Sequence, residues 1–227
     1  MAALALLIAI PFLRVTTRLT RFTAVILCFV VWFGFVALIW RRRTLRYSML
    51  SVSVLIVVFL VLPGRSRSDT AALRDGYIAS LRRYNDVPYV WGGEGIRGID
   101  CSGLVRRGMV DVLFRRGLRT CDPGLVRRAL FLWWRDCTAW TLGWPHAGLT
   151  GYLFDTPNIN VLDHSQVLPG DLAVHVNGTH VMAYLGSNLW IQADPRAGRV
   201  TTTAVPAEDN PQFYRPMRIV RWRVLQE

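Results

Sequence analysis

Residues 100–105 read Asp-Cys-Ser-Gly-Leu-Val. They follow Pro88-Tyr89-Val90-Trp91-Gly92-Gly93 and precede, by 79 positions from cysteine to histidine, His180-Val181-Met182-Ala183-Tyr184-Leu185-Gly186. Gly92, Gly93, Gly95 and Gly98 crowd the approach to the cysteine, which predicts a sharply bent loop. Beyond it Leu104, Val105, Met109, Val112 and Leu113 recur at helical spacing, with Gly117 as the expected stop. Asp100 is then the N-cap and Cys101 stands in the first helical turn. A helix start stabilises a thiolate, the form that attacks carbonyl carbon. A structural cysteine fits the same place, so a second catalytic group has to decide.

The second half supplies it. An amphipathic helix is expected over 69–84, before the cysteine. After it, Pro169-Gly170-Asp171-Leu172 is a turn running into a strand over 172–176, and Asn177-Gly178 signals a hairpin. Strands over 180–185 and 189–193 flank a Gly186-Ser187-Asn188 turn. Alternation puts His180, Met182 and Tyr184 on one face and Val181, Ala183 and Leu185 on the other, with Trp190 and Gln192 sharing the His180 face. An odd-numbered turn makes Gln192 a cross-strand neighbour of His180, able to orient the imidazole as a neutral partner. A two-residue turn would break that register. His175 is the other candidate base.

In this order, these motifs resemble the NlpC/p60 family of bacterial cell-wall cysteine peptidases, over residues about 70–225. The resemblance implies an α+β, papain-like fold with a nucleophile helix packed on an antiparallel sheet. It also implies hydrolysis of amide bonds in peptidoglycan stem peptides. Cys101 would be the nucleophile, His180 the base and Gln192 the third member, where the family usually has His. Tyr89 matches a family tyrosine that helps bind substrate or the oxyanion; Asp100 and Ser102 match positions lining the subsites. The span from Cys101 to His180 is longer than a minimal member needs, which points to an aromatic-rich insertion over about 118–166. There Trp133, Cys137, Trp140 and Trp144 form one helical stripe, to be read as core, as a lid or as a surface resting on a bilayer.

The N-terminal part differs in character. Phe22–Trp40 is 19 residues without a charge and ends on Arg41, Arg42 and Arg43; a second uncharged run covers Tyr47–Gly64, and a weaker apolar segment covers 1–13. About 20 apolar residues cross the hydrocarbon core, so a transmembrane hairpin over residues 1–65 is expected, followed by a hydrolase domain over 66–227. Four Arg lie in the six-residue connection and six in the two flanks, so charge counting leaves the orientation open. The family resemblance places the hydrolase domain outside a bacterial cell membrane, in the periplasm or at the surface.

All 27 basic residues are Arg and the net charge is +12, of which +7 belongs to residues 1–63. With 52% apolar residues, disorder is excluded. The basic, apolar N-terminus points to a lipid bilayer, and no nucleic-acid signature accompanies it. No metal or cofactor is expected, since no Cys-x-x-Cys occurs. Cys121 and Cys137 could form a disulfide in an oxidising compartment or stay reduced. Rival functions are an acyltransferase or lipid or amide hydrolase of the same fold at the membrane, and an inactive membrane scaffold or binding module.

Overall fold

The computed structural model describes residues 4, 15, 17–65, 69–144 and 148–226. Most of the apolar segment 1–13 and the expected boundary after residue 65 therefore fall at or beyond the edge of the described residues.

Two apolar helices come first, α1 (Arg18–Ile39) and α2 (Arg43–Val61). Thr17 caps α1 by accepting from the Thr20 amide. Both helices are long and apolar enough to cross a membrane, and neither buries its apolar window against the rest of the chain. Their outer ends both meet a later helix (Pro123–Trp134), which makes them a hairpin.

The rest is α+β. α3 (Thr70–Arg82) leads to a two-residue ladder, β1 (Glu94–Gly95) against β2 (Gly98–Ile99), and then to α4 (Cys101–Arg119). α5 (Pro123–Trp134) and the short α6 (Ala139–Gly143) follow. A six-stranded antiparallel sheet is built from β3 (Thr150–Thr156), β4 (Leu172–His175), β5 (Val181–Gly186), β6 (Leu189–Asp194), β7 (Arg199–Ala204) and β8 (Met217–Trp222), in the order β3-β8-β4-β5-β6-β7. The predicted alternation is what separates its two faces. Val181, Ala183, Leu185, Ile191 and Ala193 join a core with α3, α4 and α5, while Met182, Tyr184 and Trp190 join a second core on the far side with Phe213, Met217 and Ile219. Asp171 of the Gly-Asp-Leu motif is fully buried and takes Arg221 of β8 at 2.6 and 2.7 Å, so that motif ties a turn to the sheet centre.

Three expectations need correction. Gly117 does not end α4; it lies inside it, and a Cβ there would stand 2.9 Å from the Val126 amide nitrogen, so its role is close approach of α5. The stripe through Trp133, Cys137, Trp140 and Trp144 is broken. α5 stops at Trp134 because Arg106 of α4 takes the carbonyls of Leu132, Trp133 and Arg135, and Thr138 caps a new helix. Trp140 and Trp144 then stack on each other at 3.9 Å, with Arg218 over Trp144. Cys121 and Cys137 are free thiols. They flank opposite ends of α5, about 18 Å of helix by the usual rise, whereas bridged Cα atoms lie within about 7 Å.

A buried charge cluster joins the hairpin to this body. Arg21 of α1, 1% exposed, pairs with Glu94 of β1 at 2.6 Å and Asp136 at 2.9 Å and donates to the Trp134 carbonyl. Arg106 pairs with the same Glu94. Two buried guanidinium groups thus share the Glu94 carboxylate, and Arg21 has Asp136 as a second partner. Glu94→Ala leaves them facing each other and should lower the unfolding free energy by about 3–5 kcal/mol. Thermal melting of the full chain in detergent checks this; an unchanged midpoint would show that the cluster contributes nothing.

Candidate active site

Asp100 organises the start of α4. Its Oδ1 accepts from the Gly103 amide at 2.6 Å and the Ser102 hydroxyl at 2.9 Å, and its Oδ2 accepts from the Gly92 amide at 2.8 Å. One side chain therefore caps the helix and holds the preceding loop against it. The motif glycines follow from this closeness. Gly92 has φ of 73°, and a Cβ on residue 103 would lie 2.3 Å from the Gly93 carbonyl oxygen.

With Asp100 occupied by the Gly103 amide, the first two amides of the helix are left for Cys101. Its sulfur faces the amides of Cys101 itself, Ser102 and, across on β5, Val181. Cys101 is nevertheless buried, and burial, with the Asp100 carboxylate adding to it, pushes the thiol up to about 12. The lowered thiol expected from a helix start is thus overturned. Desolvation of a sulfur anion outweighs three amide dipoles here.

His180 lies just before β5, and its Nε2 is 2.6 Å from Gln192 Oε1. A carboxamide oxygen only accepts, so Nε2 carries the proton and Nδ1 is left as the acceptor. Both residues are buried, and burial pulls His180 below the ordinary histidine value against the opposing effects of Gln192, Asp194 and Asp100. Burial therefore favours the neutral form at both Cys101 and His180.

The register that brings His180 to Gln192 is not the one expected. Ser187 and Asn188, both with positive φ, form a two-residue turn with Gly186 opposite Leu189. A bulge between Tyr184 and Gly186 restores the parity, so that Ala183 pairs with Ile191. Continuing that register sets Gln192 opposite Met182 and one diagonal step from His180.

Tyr89 completes the neighbourhood. It is half-buried, and burial followed by the charges of Cys101 and Asp100 raises its phenol to about 12, so it stays an O–H donor. The structure thus gathers Tyr89, Asp100, Cys101, Ser102, His180 and Gln192. It also gives Asp100 and the Ser102 hydroxyl a capping partnership with each other.

One group was missed by sequence reasoning. Asp194 is held by the amides of Arg196 and Ala197 and by Asn210, and its charge reaches His180. It lies two residues past Gln192, so alternation alone would have found it. His175, the alternative base, packs 5.3 Å from His180 with its ring nitrogens near the Thr179 hydroxyl and the Gln212 carbonyl. Burial, with His180 adding, pushes it down to about 4.

Both shifts have measurable consequences. An unfolded histidine titrates near 6.5 and folded His175 near 4, so the unfolded chain binds more protons across that interval and stability falls as pH drops through it. Melting temperature should decline from pH 6.5 to pH 4, and His175→Asn should flatten the decline; parallel curves would contradict the shift. Alkylation of Cys101 by iodoacetamide, followed by peptide mass spectrometry, should accelerate about tenfold per pH unit up to at least pH 9. A plateau already at pH 6–7 would mean a thiolate at rest.

A helix laid on an antiparallel sheet, with a cysteine at the helix start and a His–Gln pair on adjoining strands, makes an NlpC/p60-like fold. Solved structures similar to this chain include the NlpC/p60 domain of the peptidoglycan hydrolase SagA, at 25% identity over 65% of this chain and 97% of that one, TM-score 0.39. The P60 domain of an antigen from M. avium subspecies paratuberculosis is 23% identical over 66% and 96%, TM-score 0.40. The peptidoglycan hydrolase RipB from Mycobacterium tuberculosis is 20% identical over 69% and 68%, TM-score 0.42. No family model matches the chain, and no curated protein matches it in sequence.

Proposed function

We propose that this protein is a membrane-anchored cysteine peptidase that hydrolyses amide bonds in peptidoglycan stem peptides, with its hydrolase domain outside the cell membrane. The observation that carries the reading is the buried hydrogen bond from His180 Nε2 to Gln192 Oε1 beside a cysteine whose sulfur meets helix-start amides. It fixes the tautomer a general base needs. The substrate class rests on the motif resemblance, and the membrane on the length and apolar surface of α1 and α2.

In the reaction, His180 Nδ1 takes the thiol proton as the Cys101 sulfur bonds to the amide carbon. The carbonyl oxygen becomes an oxyanion next to the Cys101 and Ser102 amides, with the Tyr89 hydroxyl as a further donor. Collapse breaks the C–N bond, and the imidazolium returns its proton to the leaving amine. Water then attacks the thioester, giving a proton to His180, and the thiol is regenerated. Starting from a neutral pair, the charges form only during attack. Gln192 steadies the imidazolium through its carbonyl oxygen.

The test uses the full chain in detergent with purified muropeptides and product analysis by mass spectrometry. The parent should cleave a stem-peptide amide. Cys101→Ala should abolish cleavage, and Gln192→Leu should slow it on the order of 10²-fold while the thiol still alkylates. A folded parent with a reactive Cys101 and no cleavage would remove peptidoglycan as the substrate.

A further inference from the structure

α5 is an amphipathic helix whose outer stripe is unlike the surface of the sheet. Leu125, Val126, Ala129 and Leu132 are buried against α4. Leu130, Phe131 and Trp134 are 42%, 50% and 47% exposed and share one face with Arg127, at i, i+3, i+4 and i+7. Arg128 and Arg135 flank that stripe and are exposed too, and the Arg135 guanidinium lies over the Phe131 ring at 4.8 Å. No acid occurs from residue 123 to 135. Large apolar side chains flanked by Arg, with no acid inside the helix, are the pattern of a helix lying in a bilayer interface.

Its position agrees with its chemistry. The N-terminal end of α5 meets the outer end of α2. Gly124 packs on Gly64, and Arg127 donates to the Leu60 and Leu62 carbonyls at 2.6 Å each. The C-terminal end meets the outer end of α1 through Arg21 on the Trp134 carbonyl and through Arg18 and Arg21 on Asp136. α5 therefore bridges the open end of the hairpin, where two spanning helices would leave the membrane. Between α2 and the body lies a groove of about 420 Å³ lined only by apolar side chains, among them Val52, Ile56 and Phe59 of α2 and Phe114, Leu118 and Leu130 of α4 and α5. From Val52 to Leu60 is about 12 Å of helix. Whatever flanks that stretch of a spanning helix lies at the depth of acyl chains.

We infer that α5, with the Phe114 and Leu118 end of α4, is an interfacial membrane element that seats the hydrolase body in the outer leaflet beside its own spans. Its partner is the phospholipid bilayer, with anionic headgroups against Arg127, Arg128 and Arg135 and acyl chains in the groove. This rests on the reading of α1 and α2 as spans. It goes beyond anchoring, because it fixes the height and tilt of the body. Cys101 opens α4, and Phe114 lies 13 residues further on, about 20 Å along the helix. The site would therefore face substrate at a set distance from the lipid surface.

The experiment is spin-label accessibility in the full chain, reconstituted in vesicles of phosphatidylglycerol and phosphatidylethanolamine. The background carries Cys28→Ala, Cys101→Ala and Cys121→Ala, which remove the two exposed thiols and the one that alkylates. Single labels go at Phe29→Cys in α1, at Phe131→Cys in α5 and at Val161→Cys, an exposed residue by the far-side core. Oxygen collisions should exceed those of a water-soluble nickel complex several-fold at position 29, the reverse should hold at 161, and position 131 should fall between them. Replacing phosphatidylglycerol by phosphatidylcholine should shift 131 towards water and leave 29 unchanged. A water-like 131 with a lipid-like 29 overturns the seating of α5 while keeping the spans. A water-like 29 overturns the spans and the seating together.

Discussion

The carboxylate of Asp100 is the constraint on which the site depends. It caps α4, holds the Ser102 hydroxyl and pins the Gly92 turn, so one group sets both the helix start and the loop beside it. Because it satisfies the third amide, the first two remain for the sulfur. Burial raises the thiol and the same charge adds to it, so the cap that builds the site also disfavours a thiolate at rest. Glu94 braces this loop from behind. It ends up between Arg106 of α4 and Arg21 of the first apolar helix. The geometry at Cys101 is therefore mechanically continuous with the hairpin.

That continuity changes how the N-terminal helices are understood. Charge counting treats Arg18 and Arg21 as interchangeable flanking residues. In the structure Arg18 is a solvated partner of Asp136, and Arg21 is a buried bracket. The aromatic stretch after α4 belongs with them. It contributes α5 against the hairpin, a stacked tryptophan pair and the edge strand β3 next to β8. The helix that would have carried the tryptophan stripe ends where Arg106 takes its last carbonyls.

Much of the site was legible in the sequence because it rests on local rules. Asp100 as N-cap and the faces of β5 and β6 depend on neighbours within a few residues, and the structure shows both. The His180–Gln192 partnership was reached on a condition that failed: the turn has two residues, and the bulge near Leu185 supplies the missing step. A bulge has no reliable mark in a single sequence, since it answers to the twist of the sheet around it. The state of the thiol was misjudged for a related reason. The helix dipole is local and visible, whereas desolvation depends on what packs around Cys101 from β5 and the loop at Tyr89.

The sequence by itself determined the alternating strands, the capped helix that opens on Cys101, the order of cysteine, histidine and glutamine, and two long apolar helices. Periodicity, capping and hydropathy are properties of neighbouring residues. Only the tertiary structure decided that Gly117 is a contact and not a stop, and that Cys121 and Cys137 are kept apart by α5. It also decided that Glu94 serves two arginines, one of them from the hairpin, and that burial raises the Cys101 thiol and lowers His180. Each of these depends on groups far apart in the chain, whose meeting is set by packing and by the cost of leaving charge unpaired away from water.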